Sequence, residues 1–237
     1  MGRIIEISTD KKHLAVDRGF VCISENDREL ARFPIDDIDA VIVHAHGITY
    51  TNNFLVRLAE HKIPFVVCGA NHAPVSYLLP LDGHYKQGAV MDAQVATKIP
   101  LNKKLWQDII RTKIKMQANV LKYLGRNYRS LEEMAKGVRS GDVENIEGQA
   151  ARFYWTELFG KDFKRDRELS GINSLLNYGY TILRSSTIRY IIGAGLHPTL
   201  GIHHCNMLNN ARLGDDLMEP FRPYVDMMVH SLAVEQN

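Results

Sequence analysis

Two stretches concentrate the groups that bind metals or move protons. "GIHHCNMLNNARLGDDLMEPFRP", residues 201–223, sets His203 and His204 ahead of Asp215, Asp216 and Glu219, with amides, Cys205 and an arginine between. "GDVENIEGQAARFYW", residues 141–155, carries Glu144 and Glu147, followed by Gly148, Ala150 and Ala151. On a helix, residues three or four apart share a face, so Glu144 with Glu147, and Asp215 or Asp216 with Glu219, form same-face pairs. Two adjacent histidines cannot both point the same way from a helix or an extended segment, so one of His203 and His204 is expected to be functional. Small residues beside Glu147 let another backbone or a ligand approach closely. The competing role is structural, because acidic residues in the first turn of a helix complement its dipole.

The chemistry such groups suit is that of a hard divalent cation. Magnesium binds through one or two carboxylates plus waters and substrate phosphates, and an imidazole nitrogen widens acceptance toward manganese. Two carboxylates and one imidazole from separate helices leave open positions for phosphate oxygens and a nucleophile, a design for phosphodiester cleavage or transfer. Zinc fits less well. His203, His204 and Cys205 are contiguous and make a poor tetrahedral set, and no CxxC or HxxxH accompanies them. Contiguity also argues against Cys205 as a nucleophile paired with a neighbouring histidine. Neither a Walker loop nor GxGxxG is present, which excludes the common nucleotide-cofactor classes.

The elements that must position these residues change character along the chain. "RIIEIS", "HLAVDRGFVCISE", "ELARFPI" and "IDAVIVHA" are short β-branched or alternating runs, and predict an antiparallel sheet or small sandwich. "TNNFLVRLAEH" switches to helical period, with Thr51 or Asn52 as N-cap, and "KIPFVVCG" and "APVSYLLP" return to strand. After Gly83 the strand signal stops. "HYKQGAVMDAQVATKI" predicts a helix, interrupted by Pro100. "LNKKLWQDIIRTKIKMQANVLKYLG" predicts a long amphipathic helix with a stripe of Leu105, Ile109, Ile110, Ile114, Ala118 and Leu121 and a cap at Gly125. Further helices are expected around 131–136, 142–158, 171–192 and 214–235, the last broken by Pro220 and Pro223. The fold class expected is α+β: a β-rich, sandwich-like domain over 1–82 and an all-α domain over 83–237 that carries the site.

The 237 residues are 45% hydrophobic and 24% charged, which is ordinary globular composition. No signal-peptide pattern opens the chain, and no apolar run approaches the roughly 20 residues that span a bilayer. Three widely spaced cysteines, Cys22, Cys68 and Cys205, point to a reducing compartment, so a cytoplasmic protein is expected. Residues 1–100 hold 10 Lys+Arg against 12 Asp+Glu, and residues 101–237 hold 19 against 15. Between Lys103 and Arg129 eight basic residues face one acid, Asp108, a cluster that attracts a polyanion or simply solvates a helix face.

Three stretches in order, "IEGQAARFYW" (146–155), "SLLNYGYTILRS" (174–185) and "LHPTLGIHH…DDLMEPFRPYVD" (196–226), resemble the CRISPR-associated integrase family, the catalytic subunit of the spacer-acquisition complex, in its type II branch. The strand-rich N-terminus and "HAPVSYLLPLDGH" also fit, so the resemblance covers nearly the whole chain. It implies Glu147, His204 and Glu219 as the catalytic metal ligands, with Asp216 in support and His203 set aside. It implies Mg2+ or Mn2+ as cofactor, and strand transfer of a 3′ hydroxyl of short incoming DNA to the edge of a CRISPR repeat, with nuclease activity as the same chemistry by water. It further implies double-stranded DNA, a homodimer, a small ferredoxin-like adaptation subunit and other proteins of the same CRISPR system as partners, and a prokaryotic cytoplasm as location. Lys113, Lys115, Lys122 and Arg126 in the basic helix, with Arg152 and Arg222, become candidate DNA contacts. Arg222 is equally suited to holding Glu219 or Asp216. The family chain continues past Phe-Arg-Pro with further helices, so a chain short of its family's length is expected here. The competing functions are a metal-dependent repair nuclease with the same triad, and a non-catalytic DNA-binding scaffold.

Overall fold

A computed structural model describes residues 3–70, 74–78, 80–81 and 86–235. The chain divides into two compact units, Met1–Met91 with Ser185–Leu196, and Asp92–Arg184 with His197–Asn237. The boundary expected between residues 82 and 83 falls on Asp82 and Gly83, which lie outside the described residues.

The first unit is built from β1 (Arg3–Ile7), β2 (His13–Asp17), β3 (Phe20–Glu25), β4 (Arg28–Pro34), β5 (Ile38–Val43), β6 (Thr49–Tyr50), helix α1 (Asn52–Glu60), β7 (Phe65–Cys68) and β8 (Pro74–Leu78). Two four-stranded sheets result, ordered β1-β5-β7-β8 and β4-β3-β2-β6. In the second sheet β2, β3 and β4 pair antiparallel, as expected, while β6 joins β2 in parallel. Arg18 and Gly19 turn β2 into β3, and Asn26 and Asp27 turn β3 into β4, all four at positive φ, as two-residue hairpin turns require. The first sheet departs from expectation: β1, β5 and β7 run parallel and only β8 is antiparallel. The cause is legible in β5, whose "IDAVIV" is buried at every position but Asp39. A strand covered on both faces suits a parallel sheet, and α1 supplies the crossover from β5 to β7. Thr51 caps α1 by accepting from the Phe54 N–H at 3.1 Å.

The second unit is helical: α3 (Ile99–Tyr123), α4 (Arg129–Gly137), α5 (Ile146–Phe159), α7 (Arg212–Met218), α8 (Arg222–Glu235) and much of α6 (Ile172–Gly193), while α2 (Gln87–Val95) precedes them. Pro100 does not interrupt a helix. It stands in the first turn of α3, where its missing N–H has no partner to lose. Gly125 closes α3 at φ 68°, as expected. The buried face of α3 runs through Trp106, Ile110, Ile114, Gln117, Ala118 and Leu121, while Leu105 is left exposed. A single stripe underestimates this helix because α4, α5 and α8 pack around it. Pro220 and Pro223 do split the C-terminal helix: Glu219–Phe221 forms a single 3-10 turn between α7 and α8. Among the described residues no helix is long and apolar enough to cross a membrane.

Candidate active site

Glu147 owes its position to an over-determined helix start. Asn145, in the left-handed region at φ 51°, caps α5 by accepting from the Gly148 N–H. The Asp142 carboxylate accepts from the Ile146 N–H at 2.9 Å and the Glu147 N–H at 3.0 Å. Asp142 therefore caps the helix start expected near residue 142, although the helix itself begins later, at Ile146. Gly148 is needed for the cap itself, since a Cβ there would meet the Asn145 amide at 2.7–2.8 Å. Glu144 turns away and pairs with Arg139 at 3.1 Å, so the expected Glu144–Glu147 pair does not share the site.

Glu219 is placed by the 3-10 turn between α7 and α8 and is 5% exposed. Its Oε1 accepts from Arg222 Nε at 2.8 Å. Its Oε2 lies 2.5 Å from Lys113 Nζ, in ion-pair contact without hydrogen-bond angles. The same Lys113 ammonium donates to Glu147 Oε1 at 2.6 Å. Carboxylates from α5 and from the α7–α8 turn therefore converge on one cation presented by α3. Burial works against charge at both partners, yet Lys113 and Arg222 hold the Glu219 carboxyl below its ordinary range, while Glu219 and Glu147 hold the Lys113 ammonium above its own.

His204 belongs to a second cluster. Asp216 is fully buried on α7, and its carboxylate accepts from three consecutive backbone N–H groups, of Ile202 (2.6 Å), His203 (3.0 Å) and His204 (3.2 Å). It also contacts His204 Nδ1 at 2.6 Å. That bond raises the imidazole's pKa above its ordinary value, against the effect of burial and with help from the Glu219 and Asp215 charges. In turn His204 and the three N–H groups hold Asp216 low against its own burial. Asp216 is thus the group that orients His204, leaving Nε2 as the ring's remaining nitrogen. Gly201 makes the wrap possible: a Cβ there would lie 2.8 Å from His204 O and 3.0 Å from the Asp216 carboxylate. His203 points elsewhere and stacks on Trp106, centroids 4.1 Å apart and planes within 5°. Asp215 also leaves the site, held by Arg184 at 2.7 Å and by Asn209 at 2.6 Å.

Whether a divalent cation suits these residues is answered by the lysine. The ammonium lies between Glu147 and Glu219, and two hard oxygens meeting on one positive charge are the kind of donor that suits Mg2+ or Mn2+. Among the described residues no three His, Cys, Asp or Glu side chains are grouped closely enough to hold one ion, so His204 does not share the cation with the two glutamates in this arrangement.

The remaining candidates separate by what they touch. Lys115, Lys122 and Arg152 are exposed, Lys122 lying over the Tyr128 ring at 5.3 Å. Arg126 is committed to the carbonyls of Glu157 and Leu158 at the end of α5 and lies 3.2 Å from His230 Nε2. Arg222 holds Glu219 and lies over the Tyr180 ring at 4.6 Å. Sequence reasoning missed Tyr180, Gln117 and Asp226, which line a cleft of ≈ 280 Å³ with Lys113, Glu219 and Arg222. Tyr180 and Asp226 fall within the motifs quoted above, but nothing local says that the Tyr180 hydroxyl donates to the buried Asp226 carboxylate.

A two-unit α+β chain, β-rich at its N-terminus, with clustered carboxylates and a steered histidine in its helical unit, defines a candidate phosphodiester-chemistry protein. The family model described as "CRISPR associated protein Cas1" matches residues 5–237, and the chain belongs to that family. A CRISPR-associated endonuclease Cas1 of Neisseria meningitidis serogroup C (strain 8013) is 35% identical over 218 residues, 91% of this chain and 71% of that protein. Among solved structures, a casposase bound to integration product has a TM-score of 0.81 at 22% identity, over 99% of this chain and 73% of that one. A Cas6-RT-Cas1–Cas2 complex has a TM-score of 0.71 at 21% identity, over 98% of this chain and 28% of that one.

Proposed function

We propose that this chain is a divalent-metal-dependent DNA integrase and endonuclease, which inserts short DNA into a CRISPR array by strand transfer from a 3′ hydroxyl. The observation that carries the reading is the convergence of Glu147 and Glu219, from separate helical elements, on one cation, in a member of the Cas1 family. The named relative is an endonuclease, and the casposase neighbour was solved with an integration product.

Glu147 and Glu219 would hold Mg2+ or Mn2+, with His204 as the third donor. When bound, the ion supplies polarisation of the phosphoryl oxygen and neutralises charge developing on it. The chain's own residues do the rest. Asp216 fixes the His204 ring through Nδ1. Arg222 pins one oxygen of Glu219 and leaves the other to Lys113. Exposed Lys115 and Lys122 on α3, with Arg152 on α5, take DNA phosphates. The partners proposed are double-stranded DNA, a second copy of this chain through its β-rich unit, a small ferredoxin-like adaptation subunit and other proteins of the same CRISPR system. The setting proposed is the prokaryotic cytoplasm. The Cas2-containing neighbour supports the partner reading.

The test is a joining assay with the small partner subunit, Mg2+ or Mn2+, a short duplex and a supercoiled plasmid carrying a repeat. Joined product from the parent chain and none from His204→Ala is the expected result. Cleavage without joining would favour a repair nuclease. DNA binding that survives Glu147→Ala, with neither cleavage nor joining by the parent chain, would favour a scaffold.

A further inference from the structure

The cleft lined by Lys113 and Glu219 contains a polar atom with no hydrogen-bond partner among the described residues. Gln117 is 3% exposed and lines that cleft, and its Oε1 makes no hydrogen bond. Buried side-chain acceptors are nearly always satisfied, so an orphan one requires a reason. Gln117 stands one helical turn beyond Lys113 on α3, and side chains four apart lie on the same face. The cleft also holds the Asp226 carboxyl, bonded by Tyr180. Lys113 bridges Glu147 and Glu219, and it lines one cleft with Gln117 and Asp226, so the Gln117 oxygen lies in the same cleft and on the same face of α3 as the ammonium's stem.

We propose that Lys113 is a built-in placeholder for the metal, holding Glu147 and Glu219 together until a divalent cation displaces its ammonium toward Gln117. This rests on the metal-dependent reading above. Glu219 is buried and Glu147 partly so, and Arg222 holds only one oxygen of Glu219; without Lys113 the facing oxygens of the two carboxylates would repel each other, so an empty site needs a cation between them. An ammonium on a flexible four-carbon stem can supply it and still move aside. The divalent ion binds the state in which the lysine has left, so its apparent affinity is lowered by the preference for the parked state. The orphan Gln117 oxygen is then the vacant acceptor of the second state. Lys113 in this role is a positioning residue.

The experiment is Mn2+ binding to the whole chain at one fixed pH, read as quenching of the free-ion EPR signal, for the parent, Lys113→Met, Gln117→Leu and the double variant. Lys115→Met, on the same helix but exposed, controls for simple loss of positive charge. Lys113→Met is expected to bind Mn2+ about tenfold more tightly, the equivalent of one modest charge interaction. Gln117→Leu is expected to bind several-fold more weakly, and that effect should vanish in the Lys113→Met background, since an acceptor for an absent ammonium has nothing to accept. Metal-free Lys113→Met should melt several degrees lower than the parent and recover with Mn2+, while Lys113→Arg, which keeps the charge, should melt near the parent. Equal Mn2+ affinity of parent and Lys113→Met, with both binding, would overturn the placeholder and leave the metal reading standing. A Gln117→Leu effect that persists without the lysine would also overturn it. No Mn2+ binding by either chain would sink the metal reading, and the placeholder with it.

Discussion

At the scale of single residues, buried carboxylates decide most of what this site can do. Asp216 is held by three backbone N–H groups and one imidazole, so its removal strands several buried donors at once. Asp216→Ala is expected to cost about 3–5 kcal/mol, measured by urea unfolding, the scale of a broken buried charge pair. Asp216→Asn should cost less, since one oxygen still accepts. Asp226 shows the opposite behaviour. Complete burial pushes its carboxyl up to about 7, against the pull of the Tyr180 and Tyr154 hydroxyls and of Arg222 and Lys113. The folded chain holds that proton more tightly than the unfolded chain, whose carboxyl titrates at roughly 3.9. The resulting stability is complete below the unfolded pKa and is lost as pH rises through about 7. Asp226→Asn has no charge to bury. Its melting temperature relative to the parent should therefore rise between pH 5 and pH 8; a flat difference would show Asp226 ionised throughout.

At the scale of elements, helix ends rather than helix faces build the site. Glu147 sits in the first turn of α5, and Glu219 sits in the single turn that Pro220 and Pro223 force between α7 and α8. Such ends stay in place only if their orphan N–H groups are satisfied. Asp142 satisfies two of them, including that of Glu147 itself. Asp142→Ala should therefore destabilise the chain by about 1–2 kcal/mol in denaturant unfolding, the usual range for a lost cap. It should also reduce joining by more than the stability loss explains, because Glu147 loses its anchor.

At the scale of the whole molecule, exposed positive charge is what the proposed DNA partner would meet. The exposed lysines of α3 lie on the helix whose buried side presents Lys113 to the glutamates. Contacts from Lys115 and Lys122 to phosphate would release counter-ions, so DNA binding should weaken steeply with salt. Fluorescence anisotropy across a salt series should give Lys115→Ala/Lys122→Ala a slope of log K on log salt shallower by up to about 2. An unchanged slope would place the phosphates elsewhere. Arg126 is not expected to contribute, because its guanidinium is committed to carbonyls at the end of α5.

Much of this was legible from the amino-acid order, because the signals are local. Alternation and period give the strands and helices, and two prolines give the break at Glu219, whereas "HLAVDRGFVCISE", which reads as one run, is folded at Arg18 and Gly19 into the hairpin of β2 and β3. Glu147, His204 and Glu219 stand in ordered motifs that a family resemblance can read. Other features depend on tertiary packing. Parallel pairing of β1, β5 and β7 depends on which strands meet across long connections. The bridge from Lys113 to Glu147 and Glu219 joins residues far apart in the chain, and no spacing rule links them. From its sequence Lys113 is one of eight basic residues in a stretch with a single acid; in the fold it is the one found between the glutamates. The physical reason is range. Periodicity and capping act over a few residues, whereas the partner of a buried charge is chosen by whatever the fold brings within about 3 Å of it.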